Sequence, residues 1–193
     1  MSAIWFTSDL HVGHRFVAGL RGHAAVEAHD GLLAARWDAT VAPGDHIWVL
    51  GDLSAGGSAA ERGALAWLAD RPGIKHLVAG NHDRIHPLNR DAHKHHDAHA
   101  AVFASVAPFA RRRINGVEVM LSHFPYDGDH TSQSRYDQYR LRDYGMPLLH
   151  GHTHASGVYS TSTQGTAQIH VGVDAWGMSP VPLSAIETAL KGV

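Results

Sequence analysis

The stretch Ile74 to Arg84, IKHLVAGNHDR, constrains the possible folds of this chain more than any other. It reads as a short apolar strand, Lys75 to Ala79, that breaks at Gly80 and presents Asn81, His82, Asp83 and Arg84 together. An α/β protein uses such a strand end to place polar side chains beyond the carboxyl edge of its sheet, where ligands bind. The pattern recurs four times. Ile4 to Ser8 runs into Asp9-Leu10-His11, and His46 to Leu50 runs into Gly51-Asp52. Val117 to Leu121 ends in Ser122-His123, and Pro147 to Leu149 in His150-Gly151-His152-Thr153-His154.

The intervening segments predict how these strands are joined. Val26 to Val41 has helical spacing (Leu32, Leu33, Arg36, Trp37, Thr40) and stops at Pro43-Gly44. Ser58 and Glu61 form a capping-box pattern ahead of a second helix, which Pro72-Gly73 ends. Strand, helix, strand, helix, strand predicts parallel pairing in the first half. Beyond Val102 the pattern turns to β, with Asn115-Gly116 joining Arg111–Ile114 to Val117–Leu121 as a hairpin. Gln168 to Val173 is a late strand running into Asp174, and Ser184 with Glu187 marks the cap of a last helix. With no repeat and no linker, residues 1–193 read as a single domain. Two mixed sheets packed face to face, helices outside, accommodate this order.

Composition narrows the chemistry. The chain has 18 histidines and no cysteine, so disulfides and thiolate metal sites are excluded while imidazole is abundant. A net charge of −2 argues against a polyanion-binding surface, and no stable nucleic-acid complex is expected. The candidate ligands Asp9, His11, Asp52, Asn81, His82, His123, His152 and His154 offer only oxygen and imidazole. That mixture suits Mn, Fe, Zn or Ni rather than Ca or Mg alone. They are too many for one ion; without His82 they suit two ions sharing one bridging carboxylate, typically ~3.5–4 Å apart. The N-terminus lacks a targeting pattern and no apolar run is long enough to span a bilayer, so a cytoplasmic protein without membrane association is expected.

Taken in order over residues 9 to 154, D-x-H, G-D, G-N-H-D, a later His after a small residue, and G-H-x-H resemble the calcineurin-like metallophosphoesterases. The type is that of the small bacterial and phage enzymes, partly through the C-terminal VGVDAWGMSPVPLSAIE. The resemblance implies an α/β four-layer sandwich of two mixed β-sheets flanked by α-helices. It implies one metal held by Asp9, His11 and His154, another by Asn81, His123 and His152, and a bridge at Asp52. Two divalent ions follow, Mn²⁺ first, with Fe, Zn or Ni as alternatives. The implied reaction is hydrolysis of a small or nucleotide-like phosphodiester, cyclic nucleotides included, by in-line attack of a metal-bridging hydroxide. His82 would stand at the leaving oxygen as general acid or phosphate contact, and Asp83 would orient His82.

Two other functions compete. A phosphomonoesterase would share the metal site, but the protein phosphatases of this group carry GDxxDRG, whereas Gly51-Asp52 here continues as Leu53-Ser54-Ala55. A catalytically silent metal-binding interaction module is the other, and the intact His82 argues against it. Several features have plainer readings. His14 either touches substrate or is an ordinary polar loop residue. The His-rich run 93–99 reads as a solvated segment rather than a third metal site. Arg111-Arg112-Arg113 reads as a charged edge strand. The excursion 126–145, rich in Tyr, Arg and Asp, either selects substrate or packs as a loop or dimer contact.

Overall fold

The computed structural model describes residues 2–191. β1 (Ile4–Thr7), β2 (His46–Val49), β3 (Ile74–Val78) and β4 (Ser105–Ala107) are parallel neighbours in one sheet. The second sheet has the order β5 (Phe109–Ile114), β6 (Val117–Ser122), β7 (Leu148–His150), β9 (Ala167–His170), β8 (Tyr159–Thr161). β10 (Val181–Pro182) closes the first sheet antiparallel to β1, making two mixed five-stranded sheets. The hairpin forms at Asn115-Gly116, pairing Ile114 with Val117.

Two apolar cores follow from the alternation of side chains across each strand. Ile47, Val49 and Leu77 point outwards against Leu33 and Trp37 of α2 (Val26–Asp38) and Leu65 and Leu68 of α3 (Ser58–Ala69). Phe6, Leu50 and Val78 point inwards against Val119, Leu121, Leu149 and Ile169 of the second sheet. Ile186 of α5 (Leu183–Leu190) joins that inner core. Among the described residues no helix is long and apolar enough to cross a membrane.

The far face of the second sheet departs from the expected helical layer. Gln168 points away from the inner core there, and its Oε1 accepts from the Tyr126 amide at 2.7 Å. The excursion 126–145 therefore covers this face, further tied down by Asp143 to Ser162 and Thr166. α1 (Arg15–Leu20) packs instead on α2, and α4 (His96–Ala100) on β4.

Neither expected capping box forms. α5 starts one residue before Ser184, directly after Pro182, which leaves Ser184 inside the first turn. At α3 the cap position is Gly57, and Glu61 has better partners further along the chain. Its buried carboxylate accepts from the Arg84 amide at 2.8 Å and meets His95 Nδ1 at 3.0 Å. His99 is wholly buried against the same carboxylate at 3.5 Å. The His-rich run is thus solvated over most of its length, as expected, while His95 and His99 turn in as a clasp on Glu61. Arg84 completes it, reaching Ser58 Oγ and Asp91 Oδ2, each at 2.7 Å.

Candidate metal centre

Because β1, β2 and β3 are parallel, as are β6 and β7, each set delivers its ligand loops to one edge. Cross-links then bring the two edges together. His123 Nδ1 donates to Leu50 O at 2.7 Å, Gly151 N to His123 O at 3.0 Å, and His152 N to the Asp9 carboxylate at 3.1 Å. Space is so short that a Cβ on Gly80 would collide with Asp52 Oδ1, and one on Gly51 with the Gly80 amide.

The backbone is strained where the ligands sit. Of the eight non-glycine residues with positive φ among the described residues, five are Asp9 (57°), His11 (49°), Asp52 (56°), His152 (69°) and His154 (50°). Each such residue costs of order 1–3 kcal/mol, and such strain gathers where a site over-determines its backbone.

All seven expected ligands converge. His11 Nε2 and His154 Nε2 are 3.1 Å apart, and Asp9 Oδ1 lies 3.9 Å from the latter. Asn81 Oδ1 is 3.0 Å from both His123 Nε2 and His152 Nδ1. Asp52 Oδ2 stands between the groups, 3.8 Å from His11 Nε2 and 3.4 Å from His123 Nε2.

The protons decide what this cluster needs. Each of the four histidines gives its outer nitrogen to a group that can only accept. His11 Nδ1 meets Ser54 O at 3.1 Å, and His123 Nδ1 meets Leu50 O. His152 Nε2 meets Asp129 Oδ2 at 3.1 Å, and His154 Nδ1 meets Asp174 Oδ2 at 3.2 Å. The N–H is therefore outside and the lone pair inside, which is how imidazole is held for metal binding. Four inward imidazole nitrogens face two carboxylates and an amide oxygen, so the residues fit a cation at each of the two groups, one that would displace the inward proton of His123 and His154. Burial drives His11 down to about 3 and His152 to about 4, favouring the neutral ligand form. Burial also opposes charge on His123, but the Asp52 carboxylate outweighs it and lifts the ring to about 9. Both Asp9 and Asp52 are buried, which works against ionisation, yet the surrounding imidazoles hold them well below the ordinary carboxylate range. The pocket draws in positive charge.

Comparison with known proteins places the chain. No family model matches. The "Gene 66 protein" of Mycobacterium phage L5 is 50% identical over 185 residues, covering 92% of this chain and 89% of that one. Its counterpart from Mycobacterium phage D29 is 50% identical over 181 residues, covering 91% and 90%. The chain belongs to the mycobacteriophage gene 66 protein family. Among solved structures, the protein of unknown function AQ665 from Aquifex aeolicus shares the fold, with TM-score 0.70 over 97% of this chain and 99% of that one at 20% identity. Phosphopantetheinyl Hydrolase (PptH) from Mycobacterium tuberculosis superposes at TM-score 0.48 and 12% identity over 89% of each chain, too remote to bear on fold or activity.

In this gene 66 family member His82 stands at the rim, its Nε2 3.9 Å from Asp52 Oδ2 and its side chain 38% exposed. Asp83 does not orient it. His82 Nδ1 meets Ala55 O at 3.2 Å, while the buried Asp83 carboxylate accepts from the amides of Gly80 (2.7 Å), Asp52 (3.0 Å) and Leu53 (2.9 Å). Burial and the charge of Asp52 push Asp83 up to about 7 against the pull of those amides. It staples two ligand loops together and touches no reacting group.

Two functional carboxylates were not assigned from sequence. Asp174 follows the late strand in the same apolar-then-acid pattern as Asp9 and Asp52, a signal that was there to read. Asp129 had none, since it sits in the irregular excursion. It nevertheless forms a third acid–imidazole group with His130 and His152, and Arg135 and Arg140 pair with it at 2.9 and 3.4 Å. A cleft of about 610 Å³ opens over the centre, with His82, His130 and Arg135 in its lining and Phe16 and Leu20 on one wall.

Proposed function

We propose that this protein is a calcineurin-like metallophosphoesterase that hydrolyses a phosphodiester, small or nucleotide-like, with two divalent transition-metal ions. The observation that carries the reading is the outward tethering of all four ligand imidazoles, which leaves their lone pairs facing Asp9, Asp52 and Asn81. Asp9, His11 and His154 would hold one ion, Asn81, His123 and His152 the other, and Asp52 both. Bound there, such ions supply Lewis acidity toward the phosphoryl oxygens and lower the pKa of water to near neutrality.

The chain's own groups do the rest. His82 Nδ1 is occupied by Ala55 O, so Nε2 is the nitrogen free to act toward the cleft. From there it would hand a proton to the departing alkoxide, a poor leaving group without it. Arg135 and His130 on the opposite side offer N–H donors to a phosphoryl oxygen. Asp9, Asp52, Asp129 and Asp174 are committed to ligands or their tethers, and of the cleft histidines His82, 3.9 Å from Asp52, is the proposed proton carrier.

The test combines metal content with turnover. Inductively coupled plasma mass spectrometry should find transition metal in the purified protein, and bis-p-nitrophenyl phosphate should be hydrolysed with Mn²⁺ added. His82→Ala should keep the metal and lower diester hydrolysis by about 10²–10⁴. Absence of both metal and turnover would end the enzyme reading; undiminished turnover in His82→Ala would remove His82 from the mechanism.

A further inference from the structure

We propose that α1 is the specificity wall of the cleft and seats a planar aromatic group carried by the phosphate substrate, a group of the size and shape of a nucleobase; this rests on the phosphoesterase reading above. Phe16 and Leu20 are four residues apart, so they share one helix face. That face is turned to solvent, with Phe16 69% and Leu20 72% exposed, while Val17 and Ala18 are buried. Two large apolar side chains left bare on a single helical turn need a partner more than scattered ones do. They stand in the wall of the 610 Å³ cleft. A phosphate alone would leave most of that space empty, whereas clefts for organic ligands run to about 300–1,000 Å³.

The wall is fixed relative to the metal centre. Arg21, which follows α1, forks onto Asp174 through Nε at 2.8 Å and Nη2 at 2.7 Å, and Nη2 also donates to Asp9 O at 2.8 Å. Asp174 is the tether of His154, so the same carboxylate anchors ligand and wall. From Phe16 the rings of His14 and then His82 follow at centroid spacings of 6.4 Å each, leading from the apolar plate to the proton carrier. A group resting on Phe16 therefore lies two ring spacings along the cleft from His82.

The cleft's other lining favours an aromatic occupant over an alkyl one. Arg135 Nη2 lies 3.1 and 3.0 Å from the two ring nitrogens of His130, so a guanidinium is held against an imidazole in the cleft lining. The planar Arg135 cation is attracted to a π face, and an alkyl chain would gain nothing from it. His14, held below its ordinary range chiefly by burial, adds a further ring on the α1 side.

Isothermal titration calorimetry on the Mn²⁺-loaded protein tests this with three monoesters that present the same dianion: adenosine 5′-monophosphate, hexyl phosphate and ethyl phosphate. Adenosine 5′-monophosphate should bind about tenfold tighter than ethyl phosphate, as one base stacked on an aromatic side chain gives. The double variant Phe16→Ala/Leu20→Ser should bring that ratio close to one, and Phe109→Ala, an exposed residue of the β5 edge, should preserve it. Hexyl phosphate binding as well as the nucleotide would overturn the aromatic assignment. A wild-type ratio near one, no binding of either ester, or a ratio that survives the double variant would overturn the wall. Turnover of bis-p-nitrophenyl phosphate is scored separately: nucleotide preference without turnover sinks the enzyme reading alone, and turnover without preference sinks the wall alone.

Discussion

The floor and the roof of the candidate metal centre are built by different means. The floor, the strand ends carrying Asp9, His11, Asp52, Asn81 and His123, is held by backbone. Left-handed residues, amide–carboxylate bonds and glycines without room for a Cβ leave it one conformation. The roof, residues 126–145, is hung by side chains. Arg140 donates to Pro125 O at 2.9 Å and to Arg135 O at 3.0 Å, and Asp129 reaches down to His152. The difference teaches where each property resides. Geometry of the candidate ligands, which tolerates little error, is entrusted to main chain, whereas the cover above them hangs from side chains that can vary without disturbing it.

Asp83 is the place to break the floor. Asp83→Ala would leave three buried amides, of Gly80, Asp52 and Leu53, without acceptors. At about 1–3 kcal/mol for each buried donor left unsatisfied, some of it recovered by relaxation, the loss should be roughly 3–5 kcal/mol. Chemical denaturation measures it. A variant of unchanged stability whose only defect lies in the His82 limb of a pH–rate profile would return Asp83 to the orienting role expected from its place in the sequence.

That expectation failed for a physical reason. Neighbouring residues in a tight turn point apart, and the donors nearest Asp83 are amides, Gly80 of its own loop and Asp52 and Leu53 of another. The two capping boxes failed similarly: Ser58 and Glu61 match a four-residue pattern, but Glu61 is claimed by Arg84, His95 and His99, 23 or more positions away. What was legible was whatever the strand pattern controls. Parallel strands buried on both faces read as unbroken apolar runs, and the ligands of the floor must follow at once. Asp129 obeys no such rule, because a loop carries no period from which its direction can be read.

Asp129 sharpens the comparison from the roof side. It sets the tautomer of His152 from a loop, so Asp129→Ala should weaken metal binding by about 10–100-fold, the usual worth of a carboxylate behind a ligand histidine. The floor should keep its fold, so the loss should show in a metal competition titration with little change in the denaturation midpoint of the metal-free protein. If instead the metal-free protein is destabilised as much as by Asp83→Ala, floor and roof form one unit and the distinction falls.

The smallest effect is expected where the roof is pinned far from the metals. Burial raises the pKa of Asp143, but hydrogen bonds from Ser162 Oγ, Gly145 N (2.8 Å) and Thr166 Oγ1 (2.7 Å) outweigh it, and the net shift is below the ordinary 3.8. Since the folded pKa is the lower one, the unfolded chain binds more protons as pH falls past about 4. The stabilisation from the Asp143 anion is thus complete above that pH and is lost as acid carries the medium through the folded value. Asp143→Asn should lower the thermal midpoint slightly at neutral pH and flatten its decline below pH of about 4, leaving metal affinity alone. A midpoint that falls as steeply with acid in Asp143→Asn as in the wild type would show that the pin holds without its charge. The acid sensitivity would then belong to other carboxylates held low, the buried Asp9 and Asp52 of the floor among them.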